Sequence, residues 1–558
     1  MPDHKCLKEI VYLGLVLITS LGLSLLFTPI SSVLAKKYGF IDLPDPRKIH
    51  SRIMPRLGGL AMAVTLIISF LIHVSISREI LGFLFGAVLI CFFGILDDKF
   101  GLNPKLKYLL QVIASTSFII ISGAYIKSLG NLLGFGELEL GSFGLFFTIF
   151  GMVGLMNAIN LSDGLDGLAA GKCLIASCFL FVFAYFYGHY LYSILGIMVF
   201  GILLGFLRYN SYPARLFMGD SGSLLLGYTM AVITVALVQE RPYALNIKPI
   251  SMAMIFAVSI GDTLVVMGRR IIQKRSIFHP DKTHLHHRLL GLGFSHPTSV
   301  AVVYIITFFF GTMAWVLRDV QDWIQFYGTL ALIVCIYVTL RFFEKRHIFL
   351  KMSNSNSINQ ITQLYSSKVV SFISLGVIFC FFFFVIVFAS PSPQIGTFSV
   401  GVIVFFILLF PWNTRKEDIS VAHSCFYLAI LFLNYIITTS NLEIVVNRIY
   451  WNFYAVVVWS WVCMLLINRR YRLISYPNTF EGLTILITFF YLTLVFFNAC
   501  NASSDTRNHI IVSTLLSIPL YLVLKIYLKR KNSLNKKFAL IFIAVFFIIS
   551  LKALRNIF

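Results

Sequence analysis

Hydrophobic and polar positions along this chain fall in long blocks rather than at the period of a helix face or a strand. Apolar runs cover residues 9–34, 57–76, 80–96, 143–160 and 296–317, mostly near or above the roughly 18–20 residues a helix needs to cross a bilayer. Short polar loops separate them, and the pattern predicts about eleven spans up to residue 343. The first run is long and no small-residue cleavage site follows it, so it reads as a span and not as a removable signal peptide. Then the texture changes. Residues 352–368, MSNSNSINQITQLYSSK, are Ser- and Asn-rich, the composition of a linker. About seven further spans are predicted beyond it, near 369–389, 396–411, 421–438, 450–467, 481–498, 510–527 and 538–553. The expected architecture is an all-α polytopic membrane protein, with a core at 1–345, a polar linker at 346–368 and a C-terminal multi-span region at 369–558.

Composition supports a bilayer setting: 58% of residues are hydrophobic and 12% charged, and the mean hydropathy is +0.87. The net charge of +22 raises the question of a nucleic-acid partner, and its distribution answers it. If the amino terminus starts outside, the inward loops collect Lys36, Lys37, Arg47, Lys48, Arg52 and Arg56, then Lys99, Lys105 and Lys107, then Arg208 and Arg215. A last inward group holds Arg269, Arg270, Lys274, Arg275, Lys282 and Arg288. The intervening outward loops hold only Arg78, Lys127, Arg241, Lys248 and Arg318. That asymmetry is the positive-inside rule, and no nucleic acid is needed to explain it. The nine cysteines are scattered without metal-ligand spacing and read as buried apolar thiols.

Five polar clusters interrupt this pattern, all on the predicted inward side. DLPDPRKIHSRIMPRLGGLAM, Asp42 to Met62, offers Arg47, Lys48, His50, Arg52 and Arg56 as cationic donors suited to phosphate; it also reads as a charged topogenic loop followed by a Gly58–Gly59 packing patch. GILDDKFGLNPKLK places Asp97 and Asp98 side by side at a span end, where adjacent carboxylates repel unless something cationic lies between them and a partner; magnesium is a natural candidate. In MNAINLSDGLDGLAAG, Asn157, Asn160, Asp163 and Asp166 are each three apart and would line one face of a helix. In RYNSYPARLFMGDSGSLLLG, Asp220 stands at the start of a new span, although a simple helix cap explains it as well. Finally, DKTHLHHRLLGLG sets His284, His286, His287 and Arg288 beside Asp281 and Lys282, which suits an anion better than a zinc ion. Acids for a metal and cations for phosphates thus converge on one membrane side, an arrangement suited to phosphoryl transfer involving a lipid.

These five motifs, in this order, resemble the polyprenyl-phosphate N-acetylhexosamine-1-phosphate transferases, the polytopic phosphoglycosyl transferases, over about the first 60% of the chain. The resemblance implies transfer of a sugar 1-phosphate from a UDP-N-acetylhexosamine to undecaprenyl phosphate, with release of UMP and with magnesium, or manganese in its place, as cofactor. It implies Asp97 and Asp98 as the acidic pair near metal and lipid phosphate, Asp98 and Asp220 as metal ligands, and Asp163 and Asp166 among the catalytic acids. Asn157 and Asn160 would support the nucleotide, while Lys48, Arg56, His284, His286, His287 and Arg288 would contact substrate phosphate and sugar. His-Leu-His-His-Arg, in place of three consecutive histidines followed by an acid, is similar to the N-acetylglucosamine branch and not to the muramoyl-pentapeptide branch. The implied setting is the bacterial inner membrane with the site on the cytoplasmic face, in a pathway of cell-envelope polysaccharide; a homodimer is compatible with it. Two competing readings are a muramoyl-pentapeptide or other UDP-sugar donor, and a lipid-handling or transport role for the C-terminal half.

Overall fold

In the computed structural model, residues 4–43, 53–239, 247–274 and 283–345 are described, and they form a helical bundle. The loop segment carrying Arg47, Lys48, His50 and Arg52, the pair Asp281 and Lys282, and the whole linker and C-terminal region lie outside the described residues. The helices are α1 (His4–Tyr38), α2 (Gly58–His73), α3 (Arg78–Phe100), α4 (Pro104–Ser122), α5 (Phe143–Asn160), α6 (Leu168–Phe186) and α7 (Tyr190–Asn210). They continue with α8 (Gly219–Val238), α9 (Pro249–Ile255), α10 (Ala257–Ile272), α11 (Leu285–Gly291), α12 (His296–Val316) and α13 (Asp322–Lys345). Among the described residues nine helices are long and apolar enough to cross a membrane. The pair α9–α10, bent by 80°, makes a tenth candidate, and α2 is a shorter apolar helix. The fold is that of a multi-pass, all-α membrane protein.

Local chemistry sets the helix ends. The Ser77 hydroxyl accepts the N–H of Ile80 at the start of α3, and Gly101 ends the helix in the left-handed region at φ 67°. Asn103 caps α4, with Pro104 in the first helical position, where its missing N–H costs nothing.

Core and periphery separate sharply. In α8, 89% of the apolar window lies inside the protein, against 6% in α13. Lipid tails are as apolar as leucine, so buried helices in a membrane are held by close packing of small residues more than by water exclusion. The packing here shows it. A Cβ on Gly59 would lie 2.2 Å from the backbone N of Gly222, and one on Gly94 would lie 2.4 Å from Ser221 Cα. Helices α2 and α3 therefore press their backbones onto the first turn of α8. The reading of Gly58–Gly59 as a packing patch and of the preceding basic residues as a functional loop are both compatible with this. Of the described cysteines, Cys91 and Cys173 are buried as expected, whereas Cys335 is exposed on the peripheral helix α13.

A two-stranded ribbon completes the site's scaffold: β1 (Ile41–Asp42) pairs antiparallel with β2 (Met54–Pro55), Ile41 opposite Pro55. Directly after β2 the N–H of Arg56 donates to Phe40 O at 2.9 Å, and the N–H of Phe217 donates to Pro55 O at 2.9 Å. Gly58 and Gly59 then donate to the carbonyls of Phe217 and Met218. Arg56 is thus clamped between the end of α1 and the approach to α8.

Candidate active site

Four helix ends and two loops meet around Asp220. The starting point is Gly219, whose φ of +71° leads the chain into α8 and which a side chain would block: a Cβ there would lie 2.3 Å from Asp98 Oδ2. Asp98 comes from the last turn of α3 and caps α8 from outside. Its Oδ1 accepts the N–H of Asp220 at 2.8 Å, and its Oδ2 accepts the N–H and the hydroxyl of Ser221 at 3.1 and 2.8 Å. Arg56 Nε adds a further donor, 3.1 Å from Asp98 Oδ1, and the Asp98 side chain is fully shielded from solvent. Asp98 therefore has both oxygens occupied by protein.

Asp220 faces the other way. Its Oδ1 accepts from Arg56 Nη2 at 2.8 Å and its Oδ2 from Lys107 Nζ at 3.0 Å, with a longer contact of 3.4 Å from Asn160 Nδ2. Its side chain keeps one fifth of its surface open to solvent. Lys107, from the first turn of α4, also pairs with Asp97, while Asp97 Oδ1 accepts the N–H of Leu102 at 2.7 Å and holds the α3–α4 turn. Burial works against the Arg56 guanidinium, but the carboxylates of Asp98, Asp220, Asp42 and Asp163 outweigh it and hold the group above its ordinary value. Lys107 is a site residue that the charge pattern alone placed only in an inward loop; its spacing from the Asn103–Pro104 cap turns it toward the acids.

The segment from Asn157 to Asp166 does not form one helical face. Helix α5 stops at Asn160, and residues 161–167 turn before α6 begins. Asn160 donates to Ser223 Oγ at 2.8 Å and so stays with Asp220, whereas Asn157 donates to Gln111 Oε1 at 2.6 Å and to Val153 O at 2.8 Å, tying α5 to α4. Asp163 is solvent-accessible yet set low among protein atoms. Burial first, then repulsion from Asp220, Asp166 and Asp98, pushes its carboxyl up to about 7 against the pull of Arg56. Asp166 does structural work: its Oδ2 accepts the N–H of Ala214 at 2.9 Å, fixing the loop before α8.

The histidines lie on and just before the short helix α11. His284 Nδ1 is 2.8 Å from Asp262 Oδ2, and the rings of His284 and His286 stack nearly parallel, 9° apart, with centroids 5.9 Å apart. The ring of His287 follows, 4.3 Å from that of His286. His286 approaches the Asp163 loop so closely that a Cβ on Gly164 would lie 2.2 Å from its Nε2. Burial, with repulsion from His287, lowers His286 to about 3, so it is neutral at any working pH. Arg288, expected at a phosphate, instead presents its fork to Glu344 of α13, with Nε and Nη2 at 2.7 and 2.8 Å from the two carboxylate oxygens. Sequence reading missed Asp262, although an acid inside an apolar segment is itself a signal of function.

Comparison with known proteins gives this geometry a family. The glycosyl transferase family 4 pattern matches residues 80–238, which hold Asp97, Asp98, Lys107, Asn160, Asp163 and Asp220. Over 341 residues, 61% of this chain and 93% of the relative, it is 37% identical to a Bacillus subtilis (strain 168) protein named "Probable undecaprenyl-phosphate N-acetylglucosaminyl 1-phosphate transferase". The chain belongs to glycosyl transferase family 4. It is also 31% identical to the decaprenyl-phosphate N-acetylglucosaminephosphotransferase of Mycolicibacterium smegmatis (60% of this chain, 88% of that one). It is 30% identical to the undecaprenyl-phosphate alpha-N-acetylglucosaminyl 1-phosphate transferase of Escherichia coli (strain K12), over 48% and 74%.

Among the described residues no group of three or more His, Cys, Asp or Glu is arranged to hold a metal ion. Magnesium, however, takes one or two carboxylates and completes its shell with water and substrate phosphates, so no such cage is required. Among the described residues, Arg56 pairs with Asp98 and Asp220 and Lys107 pairs with Asp97 and Asp220, so these acids are gathered at one point where a divalent cation would be attracted. Of the pair expected as ligands, Asp220 has the accessible oxygens, while those of Asp98 are engaged by four donors.

Proposed function

We propose that this protein transfers N-acetylglucosamine 1-phosphate from UDP-N-acetylglucosamine to undecaprenyl phosphate, releasing UMP, at the cytoplasmic face of a bacterial inner membrane. The observation that carries this reading is the junction of Asp98, Asp220, Arg56 and Lys107 at the ends of four apolar helices. A phosphate carried on a lipid tail and a soluble diphosphate can meet there without either leaving its own phase.

In the reaction an oxygen of the lipid phosphate attacks the sugar-bearing phosphorus of the donor, and the bond from that phosphorus to the oxygen bridging to UMP breaks. One phosphoanhydride replaces another, so no further energy source is needed. Little covalent chemistry falls to the protein, and catalysis rests on alignment and charge neutralisation. Asp98 fixes the direction of the Asp220 carboxylate through the backbone of α8. Arg56 and Lys107, already bonded to Asp220, are placed to turn toward phosphate oxygens when substrate arrives. Asp163, which titrates near neutrality, is suited to accept or return a proton at the acceptor phosphate. Magnesium, bound with Asp220 and substrate phosphates, would neutralise the diphosphate. The histidine stack lies where it can hydrogen-bond the nucleotide or sugar.

The test is UMP release by the purified full-length protein in detergent with undecaprenyl phosphate, magnesium and a panel of UDP-sugars, Asp98→Asn serving as control. Release with UDP-N-acetylglucosamine that the control lacks supports the reading. Release with a different donor alone revises the sugar, and no release from folded protein with any donor rejects the reaction.

A further inference from the structure

We propose that Asp262, on the broken helix α10, is the positioning residue that aims the histidine arm at the Asp163 loop and so governs donor binding. The inference rests on the transferase reading above and adds to it a residue outside the motifs that led there.

Asp262 lies six residues beyond Phe256, where the chain bends by 80° between α9 and α10, and is only 6% exposed. Its two oxygens hold three groups from two other elements. Oδ1 accepts the N–H of Leu285, the first residue of α11, at 2.8 Å and the hydroxyl of Tyr337, from α13, at 2.5 Å. Oδ2 pairs with His284 Nδ1 at 2.8 Å. One carboxylate thus fixes where α11 starts and which way the first histidine ring faces. A carboxylate facing Nδ1 keeps a hydrogen on that nitrogen and fixes the direction in which Nε2 points.

The orientation is passed on by stacking. The His284 ring lies parallel to His286, whose Nε2 is buried, has no hydrogen-bond partner, and points at the backbone of Gly164 beside Asp163. A polar nitrogen left unpaired in a buried position is destabilising unless a ligand completes it. The charges around Asp262 frame the same arm. Lys172 of α6, buried, donates to Ser259 Oγ at 3.1 Å and is within electrostatic reach of both Asp262 and Asp163. Arg288, one turn after His284, is held by Glu344 and lies 5.4 Å above the Tyr337 ring. A carboxylate this deep in an apolar bundle is costly to keep, and two of its three bonds go to the arm while the third ties it to Tyr337 of α13.

The experiment measures binding of UDP-N-acetylglucosamine to the full-length protein by calorimetry without acceptor, and separately the KM for donor and for undecaprenyl phosphate. Wild type, Asp262→Asn, Asp262→Glu and Tyr337→Phe are compared. Loss of a carboxylate that orients ligating histidines elsewhere weakens binding roughly 10- to 100-fold, and Asp262→Asn should weaken donor binding by about that factor. The lipid KM should stay within about twofold, with partial recovery in Asp262→Glu. If Asp262→Asn fails to fold, Tyr337→Phe, which keeps the carboxylate and removes one donor, should still raise the donor Kd severalfold. Donor binding unchanged in the folded variants, or donor and lipid KM rising together, overturns the proposal. A wild-type protein that binds the donor but releases no UMP would sink the transferase reading and leave the binding comparison to judge Asp262 on its own.

Discussion

Asp98 accepts the backbone N–H of Asp220 at 2.8 Å, so one carboxylate sets the position of the other without touching its side chain. The last turn of α3 thereby caps the first turn of α8, and two negative charges are held near each other because Arg56 reaches both, at 3.1 and 2.8 Å. The two acids consequently have different jobs, one structural and buried, one open to substrate.

Replacing each acid should separate those jobs. Asp220→Asn should lower turnover at least about a hundredfold, the scale of losing a charge that acts on the reacting group, with the melting temperature in detergent little changed. Asp98→Asn should also abolish turnover but cost about 1–3 kcal/mol of stability, since an amide presents one acceptor where four donors converge. UMP release and thermal unfolding, measured on the same preparations, check both; near-normal turnover in both variants would remove these acids from the site.

Asp163 should give the pH profile its acid limb. Its carboxyl is pushed up to about 7, so with the carboxylate as the working form kcat/KM should rise with pH through about 7 and level off above it. That limb should vanish in Asp163→Asn. The stability effect has the opposite sense: the folded state holds this proton more tightly than the unfolded chain, so stability from the group is present at low pH and is lost as pH rises through about 7. Asp163→Asn should therefore melt higher than wild type at pH 8 and show less advantage at pH 5.5.

Gly59→Ala tests the packing under the site. The added Cβ would lie 2.2 Å from Gly222 N, against backbone that cannot swing aside. Overpacking of this kind costs about 1–3 kcal/mol and should separate α2 from α8. A melting temperature equal to wild type would show that the two helices are not pressed together here.

Deleting residues 369–558 should leave measurable UMP release, because the described site draws every side chain from residues before 345. A stable but wholly inactive truncation would make the C-terminal region part of the catalytic unit.

Much of this was legible in the order of residues alone. Bilayer thickness forces long apolar blocks, so the helical class could be read from block length, and the basic loops gave the shared side of the five motifs. Pairing was not legible. Arg56 and Lys107 are 51 positions apart in sequence, yet both reach Asp220, because β2 and the α4 cap aim them at one helix end. The three-residue spacing of Asn157 to Asp166 suggested one face, and the turn after Asn160 broke it, since spacing describes a helix only while the helix lasts. Arg288 looked free for phosphate until α13 brought Glu344 beside it, and Asp262 acquired a role only when the break at Phe256 carried it under His284. The sequence by itself determined a membrane bundle with its acids and cations at one end. Only the tertiary structure decided which acid is capped and which is open, because that depends on donors arriving from helices distant in the chain.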